Sequence, residues 1–168
     1  WGMLGDGDEF VITQVVSQVP AQSPDDTPTV NVVIHCQLLD FAGFARSYVD
    51  GVRVITPSTY AVPRQSPQST ASEASQRVYL LMTSTEGSIT ECQGGNFMFV
   101  HEGRIKLPDR HNVLPGISME TVLELAERLG IPVDEGDYPI HDVYVAEEAF
   151  VSSTRHCLVP VDTVNRLR

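Results

Sequence analysis

The stretch Leu114–Gly130, LPGISMETVLELAERLG, constrains this 168-residue chain more tightly than any other. Leu114-Pro115-Gly116 reads as a tight turn, because proline holds φ near one value and glycine opens conformations closed to other residues. Ser118 stands where a helix N-cap belongs, and Glu120 follows in the favoured acidic first turn. Apolar residues then recur at Met119, Val122, Leu123, Ala126 and Leu129, the spacing of one buried helix face. Glu120, Glu124, Glu127 and Arg128 occupy the opposite face, and Gly130 stops the helix at C′. A glycine turn feeding a helix N-terminus offers free N–H groups and the positive dipole end to an anion. The same features suit an ordinary loop-to-helix junction, so the stretch alone names no ligand.

The rest of the chain fits one globular domain. Hydrophobic residues make up 42% and charged residues 20%, and the length suffices to bury a core. No apolar run approaches the ~20 residues of a transmembrane helix, and no signal peptide is expected. The formal charge of −11 disfavours nucleic acid or an anionic membrane as partner. Cys36, Cys92 and Cys157 are odd in number and widely spaced, which argues against a disulfide framework and for a reducing cytoplasm. Cys92 and Cys157 read as small buried residues. The five histidines, 35, 101, 111, 141 and 156, show no metal-ligand spacing. Arg155-His156 reads as an exposed basic pair.

Taken in order, Val11–Val19 suggests a strand and residues 20–28 a Pro-rich loop. Thr29–Leu39, apolar and β-branched, predicts a buried strand. Phe41–Tyr48 reads as a short helix or loop, and Val52–Ile55 as a strand ended by Pro57. Residues 66–76 have the composition of a surface loop. Strands are expected at Val78–Met82, Ile89–Glu91 and Asn96–Val100, with hairpin turns at Glu86-Gly87 and Glu102-Gly103. After the helix come a strand near Ile131–Val133, a helical turn at His141–Ala146, and closing strands at Phe150-Val151 and Leu158–Val161. The sum is α+β, a mixed or antiparallel sheet with packed helices.

Two further blocks flank the glycine turn. Upstream, ITECQGGNFMFV carries Glu91, Gly94 and Asn96 as E-x-x-G-x-N. Downstream, AEEAFVSST ends in Ser153-Thr154, followed by Val159-Pro160-Val161. In this order around LPGIS and LGIPVDEGDYPI, they resemble the class IV aminotransferases, which include branched-chain and D-amino-acid aminotransferases and aminodeoxychorismate lyase. The resemblance is close from Ile89 to Val161 and looser from Pro28 to Pro67. It implies a fold-type IV large domain, pyridoxal 5′-phosphate as cofactor, an amino acid and a 2-oxo acid as substrates, and a homodimer. It further implies that residues 1–28 are a remnant of the N-terminal region and linker. Residues 29–168 would form the cofactor domain, with most of the small domain missing.

The resemblance carries site roles residue by residue. Glu91 matches the carboxylate beside the cofactor's pyridine nitrogen. Gly94 lets backbone approach the ring, and Asn96 completes the pattern. Gly116, Ile117 and Ser118 at the helix start, with Ser153 and Thr154, match the phosphate-binding elements. The family's later Gly-Thr reads Ser153-Thr154 here, so a hydroxyl replaces a glycine. Tyr60-Ala61 replaces the basic pair usual after the PST-like turn. The family's Schiff-base lysine is absent, with an apparent internal deletion near residues 67–77. The one lysine, Lys106, lies in the later EGRIKLPDR hairpin. Three readings follow: an aminotransferase incomplete in this form, a lysine-less phosphate- or cofactor-binding relative, and a protein-interaction domain.

Overall fold

The structure is a computed structural model and describes residues 9–19, 29–39, 41–57 and 78–167. The expected loops at 20–28 and 66–76, Tyr60-Ala61 and the apparent deletion near 67–77 lie outside them. The chain divides into two compact units, Trp1–Ala42 and Gly43–Arg168. Both strands of the first hairpin share the first unit.

In the first unit, β1 (Phe10–Val19) pairs antiparallel with β2 (Thr29–Leu38), Val16 facing Val32 and Ile12 facing Cys36. The sequence predicted a buried strand at β2, but every residue of it is exposed. The physical reason is that a two-stranded ribbon covers neither of its own faces. Valine and isoleucine chose the extended backbone here without supplying a layer to pack against.

The second unit is an eight-stranded mixed sheet. Its elements are α1 (Phe41–Asp50, whose first two residues belong to the first unit), β3 (Val52–Ile55), β4 (Val78–Thr83), β5 (Ile89–Cys92), β6 (Asn96–His101), β7 (Arg104–Pro108), α2 (Ile117–Leu129), β8 (Val133–Gly136), α3 (Ile140–Tyr144), β9 (Glu148–Ser153) and β10 (Cys157–Val164). The strand order is β5-β4-β3-β10-β9-β6-β7-β8. Pairings β3/β4, β3/β10 and β7/β8 are parallel and the others antiparallel. The predicted α+β class and mixed sheet are what the chain forms. The strand expected near Ile131–Val133 begins two residues later, because Gly130 adopts φ 69° and Ile131 donates back to Ala126 before the chain can extend.

The sheet buries both faces. Val52, Val54, Leu81, Ile89, Phe97, Phe99, Val151 and Val159 form the core on one side. Met98, Ile105 and Leu107 meet Met119 and Ala126 of α2 on the other. β6 therefore reads as the continuous apolar run FMFV, as a strand covered twice must. The predicted helix stripe holds for Met119 and Ala126, which are buried, and for Val122 and Leu123, which are partly so. Leu129 is a correction: it is 72% exposed, lying in the last turn beyond the final packed residue. Cys157 is another, since it is exposed and adopts φ 54° in the β9–β10 turn. No described helix is long and apolar enough to cross a membrane.

Met119 is fully buried and joins α2 to the sheet. Met119→Ala should lower unfolding free energy by about 2–5 kcal/mol, the range for deleting a large buried side chain. Urea denaturation checks this, and a midpoint shift equivalent to under about 1 kcal/mol means that α2 is not anchored there.

Candidate functional site

Three elements meet around one cavity of about 200 Å³. The β5–β6 turn contributes Glu91, Cys92, Gly94, Gly95 and Asn96. The approach to α2 contributes Leu114, Gly116 and Ser118. The end of β9 contributes Ser152, Ser153 and Thr154. The volume lies below the ~300–1,000 Å³ of sites that enclose drug-sized ligands, so the cavity suits a small ligand or part of one.

The β5–β6 turn is tight because Gly94 takes φ 84° and Gly95 donates to the Cys92 carbonyl. Gly95 answers a different demand. A Cβ there would come within 2.7 Å of the Ser152 carbonyl and 2.8 Å of Val151 Cγ1. Only glycine lets β6 start against β9, where Asn96 pairs with Ser152.

Leu114 is clamped at its backbone. Its N–H donates to Glu91 Oε2 at 2.7 Å, and its carbonyl accepts from Asn96 Nδ2 at 2.7 Å. The Asn96 amide oxygen fills the space that a Cβ on Gly116 would need. Gly116 has an ordinary φ of −76°, so packing requires glycine here, not backbone freedom. The clamp thereby aims the first turn of α2 at the cavity.

The helix start corrects the sequence reading. Gly116, not Ser118, is the N-cap, because its carbonyl already accepts from the Glu120 N–H at 3.0 Å. Ser118 becomes the second helical residue and lines the cavity. Among the described residues no side chain caps this end, and the first-turn N–H groups carry the helix's positive pole.

The structure brings Glu91, Gly94, Asn96, Gly116, Ser118, Ser153 and Thr154 to the cavity. Ile117 is not among the lining residues and its side chain is 77% exposed. Sequence reasoning missed Ser152, whose buried Oγ has no hydrogen-bond partner among the described residues. No Lys or Arg lines the cavity among the described residues. Lys106 lines a different cavity, with Phe99, His101, Tyr138, Asp142 and Val145. Its Nζ lies 2.7 Å from Asp134, which also receives Arg104. These two cations hold the Asp134 carboxyl well below the usual carboxylate range, and that carboxylate keeps Lys106 charged. A tethered ammonium on another cavity is no free amine at this one. Among the described residues no cluster of three or more His, Cys, Asp or Glu could hold a metal.

His156 corrects the expected exposed pair. Arg155 is exposed, but the β9–β10 turn folds the His156 ring against the Phe44 ring, centroids 4.1 Å apart, with Tyr79 Oη 2.8 Å from Nδ1. Burial, with the Arg155 charge, holds the imidazole below its ordinary 6.5, and burial pushes the Tyr79 phenol up to about 12. The sequence signal was weak, since Phe44, Tyr79 and His156 are far apart in the chain.

Known proteins bear on this geometry. The family described as amino-transferase class IV matches residues 67–164. A branched-chain-amino-acid aminotransferase of Salmonella typhimurium is 34% identical over 83 residues, which is 49% of this chain and 27% of that one. Among solved structures, the branched-chain aminotransferase of Thermoproteus uzoniensis with norvaline gives a TM-score of 0.73 at 24% identity over 94% of this chain and 58% of that one. A T.th. branched-chain amino acid aminotransferase complexed with N-(5′-phosphopyridoxyl)-L-glutamate gives 0.60 at 25% identity over 70% and 45%. The matched part is thus about a quarter of the curated relative's length, and the solved chains extend well beyond it.

Gly116→Ala should evict the Asn96 amide and loosen the α2 start. Hydrogen exchange checks it: the Leu114 amide should lose protection, and an unchanged rate refutes the clamp. His156 has a pH consequence. Its folded pKa is depressed, so its contribution is present above the unfolded value of 6.5 and is lost as pH falls below it. Stability should therefore drop between about pH 7.5 and 5 more steeply in the wild type than in His156→Asn. Parallel curves from urea melts would sink this assignment.

Proposed function

This chain belongs to the class IV aminotransferases, and on that footing we propose that its cavity holds pyridoxal 5′-phosphate. The protein of which these residues form the cofactor-binding part would exchange amino groups between an amino acid of branched-chain type and a 2-oxo acid. The observation that carries the reading is the convergence of one carboxylate, a glycine-lined approach and a set of neutral donors on one cavity. The buried Ser152 Oγ, without a hydrogen-bond partner among the described residues, is a further polar atom at the cavity wall.

The residues present fit the group. The N–H groups of Ile117 and Ser118 with the hydroxyls of Ser118, Ser153 and Thr154 would hold the phosphate, using the α2 dipole where no Lys or Arg lines the cavity among the described residues. Glu91 would spend Oε2 on the Leu114 N–H and turn Oε1 to the ring nitrogen, holding a proton there. Asn96 would keep the phosphate turn in place through Leu114. When bound, the cofactor supplies an electron sink for the bond broken at the amino acid's Cα. A homodimer, implied by the family, and a reducing cytoplasm, read from the cysteines, belong to the same proposal; Cys36, Cys92 and Cys157 are free.

A second reading is favoured by one observation. The one lysine of these 168 residues is Lys106, and it is bound to Asp134 at another cavity. Moving a proton at the substrate Cα needs a positioned base, commonly worth ~10²–10⁴-fold. On this second reading, these 168 residues bind the cofactor without useful turnover.

Titration with pyridoxal phosphate followed by absorbance tests the site. Losing two hydroxyl donors to a charged group, at ~1.5–3 kcal/mol each, should weaken Ser118→Ala/Thr154→Ala by at least about 100-fold, and an unchanged Kd removes the assignment. Glu91→Ala should shift the bound cofactor's absorption band; a band identical to wild type returns Glu91 to a purely structural role. Borohydride should trap no adduct on Lys106. Transamination by protein of this mass that survives Lys106→Ala would overturn the lysine argument.

A further inference from the structure

Ser153 stands where the sequence departs from its family's glycine, and the structure surrounds it with groups that no cofactor role has absorbed. The His156 backbone N–H donates to Ser153 Oγ at 3.2 Å. His156 Nδ1 lies 2.8 Å from Tyr79 Oη but 3.4 Å from Ser153 Oγ. Tyr48 Oη donates to the His156 carbonyl at 2.7 Å, and Phe44 meets the ring edge-on. The imidazole is thus held through ring, backbone and nitrogen by α1, β4 and the end of β9.

Counting hydrogens decides what this does. Tyr79 is buried, and its phenol hydrogen goes to the nearest acceptor, Nδ1. Nδ1 is then an acceptor, so the hydrogen of the neutral ring sits on Nε2. Ser153 Oγ has accepted the His156 N–H, and the Nδ1 lone pair in front of its own hydrogen is already occupied. Ser153 is itself 8% exposed and lines the cavity. Within the group its hydrogen has only the Tyr79 oxygen left to meet, and a charged phosphate oxygen in the cavity is the stronger acceptor.

We propose that the Tyr79–His156 pair turns the Ser153 hydroxyl into the cavity as an oxyanion donor, which makes Tyr79 and His156 positioning residues for a phosphate ester that neither touches. This rests on the reading that the cavity takes pyridoxal phosphate. The consequence is specific. Without the phenol hydrogen, Nδ1 becomes a free acceptor and draws the Ser153 hydrogen to itself, away from the ligand. The hydroxyl thereby stands in for part of what a cation would supply, because no Lys or Arg lines the cavity among the described residues.

The test is a double-mutant cycle on the Kd for pyridoxal phosphate, with the phosphate-free pyridoxal as control. Tyr79→Phe and Ser153→Ala should each weaken phosphate-ester binding by about 10-fold, a typical loss for one hydrogen bond to a charged group. Tyr79→Phe in the Ser153→Ala background should add less than about 2-fold, and pyridoxal should bind all proteins alike. Equal losses in both backgrounds, or no loss, overturn the positioning role and leave the cofactor reading standing. Wild-type protein that binds no pyridoxal phosphate overturns that reading and this inference with it. ¹⁵N NMR of the His156 ring in the ligand-free wild type gives a check that needs no variant. The Nε2–H tautomer is expected, and Nδ1–H refutes the arrangement.

Discussion

The peptide of Leu114 is the point on which the candidate site depends. Its side chain is 65% exposed and anchors nothing. Its N–H and carbonyl are instead both consumed by side chains of the β5–β6 unit, Glu91 and Asn96. Asn96 is also the residue that pairs with Ser152 across β6 and β9. One residue therefore ties the helix start, the glycine turn and the serine-bearing strand end into a single frame. The bond to a carboxylate is of the stronger class, ~1.5–3 kcal/mol, and the amide bond is nearer ~1. Packing reinforces both, since Gly116 leaves the Asn96 amide no empty space beside it.

That frame gives the cavity its electrostatic character. The chain carries a formal charge of −11, and the one charged side chain among the described lining residues is the carboxylate of Glu91. Among the described residues an anion in this cavity would meet dipoles and hydroxyls, so their orientation matters more than it would beside a lysine or arginine. N–H groups of an uncapped helix end are fixed by the backbone and cost no reorganisation. Hydroxyls rotate, and only a surrounding network can set them. The Tyr79–His156–Ser153 group has the form of such a network, with the imidazole kept neutral by its burial.

The two units put their apolar residues to different use. In the sheet, β6 is sealed on both faces by β-strand and helix side chains. In the β1–β2 ribbon, the register sets Phe10, Ile12, Gln14, Val16 and Gln18 opposite Leu38, Cys36, Ile34, Val32 and Val30 on one face. Ile12 is 70% and Ile34 68% exposed, so large apolar side chains of this face lie open beside Gln14 and Gln18. A ribbon of two strands is marginally stable alone.

What the sequence determined by itself is what local forces decide. The helix stripe from Met119 to Ala126, the Gly130 stop, the turns at Glu86-Gly87 and Glu102-Gly103 and most strand positions follow from periodicity and turn chemistry within a few residues. The three blocks around the cavity were also legible, because each motif is contiguous and their order is distinctive. Tertiary structure alone decided the rest. It chose Gly116 over Ser118 as the helix start, because Asn96 and Glu91 grip the chain two residues earlier than capping preference suggests. It left β2 exposed, since β-branched residues select an extended backbone and say nothing of what covers it. It drew His156 from an expected surface pair into a slot between Phe44 and Tyr79, residues far away in the chain. Such contacts are set by which strands neighbour one another, and the order β3-β10-β9-β6 is a property of the assembled sheet that no local pattern encodes.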